Sequence, residues 1–301
     1  MTTRVAPGTR RAAPRTRRTA PGTRRTAPGT RRAALNVAAL LTIAIAAFPV
    51  YWMVVTALKP TRDIQSDTPR FIPTSVTLDH FRTAIRVDGF WTFWGNSLTV
   101  TLSGVLLALG VALFSAFAVA RLRWKGRRPF ILMVFIAQMA PWEALLIPMY
   151  IIARDTGMLD HLAMLTLVYF MMTLPFTIVT LRSFLAAIPV DLEEAAQVDG
   201  CSKAQAFRRV VFPLLAPGLL ATSLFGFITA WNEFAFANML IIKNQEDRTL
   251  PVWLSSFKNV FGTDWGATMA ASTLFMLPVL AIFLILQGRV TTGLTAGAVK
   301  G

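Results

Sequence analysis

Two carboxylates, Glu143 and Glu233, stand within stretches that are otherwise apolar. A carboxylate surrounded by hydrocarbon needs a partner, water or a proton, so such residues either relay protons or line the path of a polar solute. Both are expected to face the interior of a helix bundle. Asn232 precedes Glu233, and two readings stand for this pair: a structural hydrogen bond near the external end of a helix, or a contact lining a solute path. Glu143 follows Pro141-Trp142, where a water-filled break is an equal option. The aromatic run Phe225, Phe227, Trp231, Phe234 and Phe236 serves either packing and interface anchoring or stacking on sugar rings. No Lys, Arg or His accompanies the two glutamates within the spans, which weighs against a proton relay.

Other chemistry finds little support. His80 and His161 are isolated, and the single cysteine, Cys201, excludes an internal disulfide and a thiolate cluster. No paired nucleophile and base, no metal-ligand spacing and no phosphate-binding G-x-x-x-x-G-K-[ST] loop occurs. The chain is therefore expected to be no enzyme, to need no cofactor or metal, and to leave nucleotide binding to another protein.

The elements that position these residues are membrane helices. With 54% hydrophobic residues and a mean hydropathy of +0.55, the 301-residue chain is too apolar for a soluble domain. Six stretches can each cross about 30 Å of hydrocarbon: about 34–58, 98–120, 129–153, 162–181, 212–242 and 267–287. Pro49, Pro141, Pro148, Pro175 and Pro278 are expected to kink them. The net charge of +15 does not signal nucleic acid, because ten of the 30 basic residues precede Ala33 and most others flank the spans. Alternate connections hold 21 and nine basic residues, placing both termini in the cytoplasm. The first 33 residues carry four Ala-Pro-Gly/Arg-Thr-Arg-Arg units at a seven-residue period. Proline in every unit and the lack of an apolar seam predict a disordered tail, available to orient the first span or to touch anionic lipid.

Between the fourth and fifth spans lies a polar hairpin, 190–213. Asp191 with Glu194, and Ser202 with Gln205, have the spacing of capping boxes, and Gly200 stands where a helix exit favours positive φ. Ala195-Ala196 lets another backbone come close. Phe207, Val210, Val211 and Leu214 follow the i, i+3, i+4, i+7 spacing of one helical face. That face is either a docking surface or an interfacial amphipathic helix.

The combination Glu194-Ala195-Ala196, Asp199-Gly200, Phe207 and Phe212-Pro213 resembles the EAA loop of ABC-importer permeases. Trp231-Asn232-Glu233-Phe234 and the terminus Gly293-Leu294-Thr295-Ala296-Gly297-Ala298-Val299-Lys300-Gly301 are similar to the smaller permease subunit of maltose-type carbohydrate importers. The resemblance covers about 34–301; Cys201 and Phe212 depart from the commoner alanine and leucine. It implies an all-α polytopic protein with six transmembrane helices and a cytoplasmic coupling-helix hairpin, in a bacterial inner membrane. Residues 34–290 would form the permease domain and 291–301 a cytoplasmic tail. Implied partners are a second homologous permease, an ATP-binding subunit dimer that hydrolyses ATP, and an extracytoplasmic sugar-binding protein. Glu194, Ala195, Ala196, Asp199, Gly200 and Phe207 would dock the ATPase, while Glu143, Asn232 and Glu233 are candidates for the translocation path. The function implied is ATP-driven import of a di- or oligosaccharide. A different solute, and a proton-coupled secondary transporter, are the alternatives.

Overall fold

The computed structural model describes residues 28–86, 89–259 and 262–298. In chain order the helices are α1 (Pro28–Leu58), α2 (Thr61–Ile64), α3 (Asp79–Arg86), α4 (Phe90–Arg121), α5 (Arg127–Met139), α6 (Leu146–Asp155), α7 (Leu162–Ala187), α8 (Asp191–Val198), α9 (Lys203–Ala206), α10 (Phe212–Trp231), α11 (Ala235–Leu240), α12 (Leu250–Ser255) and α13 (Trp265–Ala298). A two-residue antiparallel ladder pairs β1 (Lys258–Asn259) with β2 (Gly262–Thr263). The chain divides into two units, residues 1–49 and 50–301. The described part of the first unit, residues 28–49, is helical, and apolar side chains on it, Ile45 among them, are exposed. Helix α1 starts ahead of the boundary expected at Ala34, because Pro28 suits a first turn whose N–H groups lack helical partners. The expected disorder of the tail falls, for residues 1–27, outside the described residues.

In the second unit α4 lies along α7, with α10 against both. Gly104 permits this approach: a Cβ there would lie 2.9 Å from Tyr169 Cβ and 3.2 Å from the Phe170 nitrogen and the Thr166 oxygen. Two of those atoms are backbone and cannot rotate away. Gly104→Val is therefore expected to force the helices apart at a cost of about 1–3 kcal/mol, read as a lower unfolding temperature in detergent; an unchanged temperature would refute the close contact. Among the described residues, three apolar clusters fill the interior, centred on Tyr169 with Leu240, on Trp231 with Trp253, and on Leu181 with Leu215.

Among the described residues, five helices are long and apolar enough to span a membrane, and the α5–α6 pair is a sixth crossing if counted as one broken span. That pair departs from the kinked helix expected over 129–153, being bent by 92°. Pro141 supplies no donor, and it holds Ala140 extended at φ −68°, ψ 129°, as a residue before proline requires. Pro148 kinks nothing, because it sits in the first turn of α6, where a missing N–H costs no bond. The fifth expected span, 212–242, also breaks, with α10 ending at Trp231.

Asp160, outside the spans, secures the far end of this second break. Its φ of 61° is the only positive value at a described non-glycine residue, a conformation aspartate tolerates better than most. Oδ1 accepts from the N–H groups of Ile242, Lys243 and Asn244 at 2.5, 2.6 and 3.3 Å. Partial burial disfavours the charge, but these donors and the Lys243 ammonium outweigh it and hold the carboxyl below its usual value. The clamp is therefore complete above the unfolded carboxyl value of about 3.9 and weakens as pH falls through the lower folded value. Hydrogen exchange should show protection of residues 242–244 at neutral pH that Asp160→Ala removes; equal exchange in the two proteins would refute it.

Candidate functional site

Local rules build the hairpin between α7 and α10. Helix α8 ends in a Schellman motif: the Gly200 N–H donates to Gln197 O at 3.1 Å and the Cys201 N–H to Ala196 O at 2.9 Å. Gly200 has φ +88°, as such a terminus demands. Helix α9 opens with the expected capping box, Ser202 accepting from the Gln205 N–H while Gln205 Oε1 accepts from the Ser202 N–H. The box expected at Asp191 and Glu194 does not form. Val190, in helical conformation, occupies the N-cap, so Asp191 lies inside the first turn, where its charge favours the helix N-terminus without a capping bond.

At 100° per residue, α8 sorts the motif into two faces. Glu193 and Ala196 turn inward, Ala196 being 9% exposed. Asp191, Glu194, Ala195 and Val198 turn outward, with Val198 87% exposed. Asp199 and Gly200 are exposed at the tip. Phe207 is placed differently, its ring edge-on to Phe117 of α4 at 5.0 Å and within the cluster around Leu215. It anchors the hairpin to the bundle.

From Phe207 to Val211 the backbone forms a π-turn, which corrects the expected helical face. A π-turn accommodates an extra residue, so the inward row runs from the half-buried Phe207 to the buried Val211 and Leu215 and leaves Leu214 48% exposed. Because the π-turn runs directly into α10, the hairpin and the fifth span form one continuous helical rod, with Pro213 in the first turn.

A contact that the sequence did not reveal fixes the hairpin from the other side. Arg121, in the last turn of α4, donates from Nε to Glu193 Oε1 at 2.5 Å and from Nη2 to Ile188 O at 2.8 Å. The two side chains are 9% and 13% exposed. One guanidinium thus ties together the ends of α4 and α7 and the start of α8. The one local signal was a cation at a helix C-terminus, which sequence reading uses only for topology.

The three candidate path residues diverge. Glu233 is 8% exposed; its carboxylate accepts from the Phe236 and Ala237 N–H groups at 2.8 and 3.0 Å and from Tyr169 at 3.3 Å. These N–H groups open α11, which explains the break after Trp231. Asn232 is exposed and donates to Ile228 O at 2.7 Å. Glu143 lies in the 3-10 turn Trp142–Leu145 between α5 and α6 and is exposed, contrary to the expected inward placement. Trp142 and Leu145 of this turn pack against the cluster around Tyr169, which leaves Glu143 on the open side. Among the aromatics, Phe227, Trp231 and Phe236 are buried in packing, with Trp231 stacked on Phe227 and Phe275 at 5.4 and 5.6 Å. Phe225 and Phe234 are exposed.

Residues 104–296, which contain the hairpin, match the family described as binding-protein-dependent transport system inner membrane component. The chain belongs to this family. It is a multi-pass permease subunit of the inner membrane, a transporter component of the ABC-importer type. The diacetylchitobiose uptake system permease protein DasC of Streptomyces coelicolor is 57% identical over 266 residues, covering 88% of this chain and 96% of that protein. The trehalose transport system permease protein SugB of Mycobacterium tuberculosis is 36% identical, covering 87% and 95%. In fold, the chain matches a bacterial ABC transporter involved in import of the polysaccharide alginate, with TM-score 0.73 and 22% identity over 88% of this chain and 99% of that one.

Proposed function

We propose that this permease subunit carries a di- or oligosaccharide inward, driven by ATP hydrolysed in a separate pair of subunits that grips the outward face of α8. The observation that carries this reading is the hairpin itself. Glu194, Ala195, Val198 and Asp199 face away from the bundle, while Ala196, Phe207 and Glu193 lock the other side to α4 and α10. A push on the free face therefore reaches α10 as a rigid-body movement. The carbohydrate assignment follows the names of the two similar permeases. A homologous second permease completes the path and an extracytoplasmic receptor supplies the sugar. Both termini and the hairpin lie in the cytoplasm by the distribution of basic residues. Glu143, exposed in the α5–α6 break, faces the shared path, whereas Glu233 and Asn232 serve it by shaping the α10–α11 break.

The test is uptake of labelled diacetylchitobiose and trehalose by the complete complex in proteoliposomes. Uptake of at least one sugar should require internal ATP and ignore an imposed proton gradient. Gradient-driven, nucleotide-independent uptake would overturn the proposal.

A further inference from the structure

A cavity of about 300 Å³ opens between the end of α1, α2 and the start of α13, away from the hairpin. Its volume equals that of roughly ten waters at about 30 Å³ each, room for an anion with a substituent attached. Two polar groups in its wall lack full compensation. Lys59 is 2% exposed, and its ammonium lies 4.2 Å from the centre of the Trp52 ring. The hydroxyl of Thr56, a residue 6% exposed, is buried with no hydrogen-bond partner among the described residues. Asp63 also lines the cavity, but its two oxygens are engaged by Arg70 at 3.4 Å and Thr74 at 2.9 Å. The Asp63 charge also attracts the Lys59 ammonium, but with Arg70 beside it the three charged groups in the wall still sum to one positive charge in excess. A buried ammonium and an unpaired hydroxyl are both satisfied by an acceptor-rich anion.

Position narrows the choice of anion. The first span ends at Leu58 and the last begins at Trp265, so the cavity lies at the edge of the hydrocarbon, where Trp52 and Trp265 suit the interface. We propose that this cavity binds a phosphate group, received by the Lys59 ammonium and the Thr56 hydroxyl between Trp52 and Trp265. Its source is a phospholipid headgroup or free phosphate.

The proposal is tested on the complete importer complex, delipidated in detergent, with two probes: dioleoylphosphatidylglycerol retained in native mass spectrometry, and radiolabelled inorganic phosphate in equilibrium dialysis. Wild-type complex should bind at least one probe saturably, and Lys59→Met should weaken that binding at least tenfold. Thr56→Val, which keeps the side-chain shape, should weaken it several-fold and serves if Lys59→Met does not assemble. Binding of the lipid alone identifies a headgroup site; binding of inorganic phosphate identifies a site for the free ion. Absence of binding, or equal binding by wild type and variants, overturns the proposal, as it would if a protein subunit filled the cavity. ATP-driven uptake is a separate readout, so failure here leaves the transport reading intact.

Discussion

Arg121→Ala is expected to reduce ATP-driven uptake at least tenfold while ATP hydrolysis by the complex continues. The guanidinium makes two bonds that join three elements, to Glu193 of α8 and to the carbonyl of Ile188 at the end of α7. Removing it leaves the Glu193 carboxylate, only 13% exposed, without its cation. Breaking a buried pair from one side costs about 3–5 kcal/mol, enough to release the inward face of α8 from α4. The hairpin would still meet its motor but would no longer move the bundle. Replacing both partners, Arg121→Met with Glu193→Leu, removes the unpaired charge and should restore part of the uptake, since apolar substitutes for a buried pair are often tolerated. Uptake at the wild-type rate in Arg121→Ala, at normal membrane abundance, would show that this pair has no part in coupling.

Gly200→Val should abolish uptake. At φ +88° a side chain with a Cβ is strained by roughly 1–2 kcal/mol, and a β-branched one by more. No neighbouring atom would meet the new Cβ within 4 Å, so the effect comes from backbone conformation and not from a clash. The Schellman bonds to Gln197 and Ala196 would be lost, and the direction in which α9 leaves α8 would change. Gly200→Asn, which tolerates positive φ, should retain much of the activity. Equal loss in Asn and Val variants would point to a close backbone contact at this position in place of a conformational requirement.

The hairpin was legible because its determinants are local. A glycine beyond a helix end and a serine three residues before a glutamine act within one turn, and both act as the sequence indicates. The remainder depended on partners far along the chain. Arg121 and Glu193 are separated by 72 residues, and Asp160 reaches Lys243 across 83; no periodicity reports such pairs. The π-turn escaped notice because a 3.6-residue pattern assumes the helix it is used to find, which moved Leu215 into the place given to Leu214. Hydropathy found the spans but passed over their breaks. Glu233 is able to end α10 only because Tyr169, on another helix, helps to hold its buried carboxylate. At Pro141, sequence distinguishes a kink from a 92° break only through packing that it does not display.

The most direct test places a photo-crosslinking residue at Val198, outward on α8 and 87% exposed, in the purified complex. Illumination should join this chain to a nucleotide-hydrolysing subunit, whereas the same residue at Ala196 on the inward face should not. No such product from Val198 in a complex that transports sugar with ATP would contradict the account, because the push would then enter the bundle elsewhere.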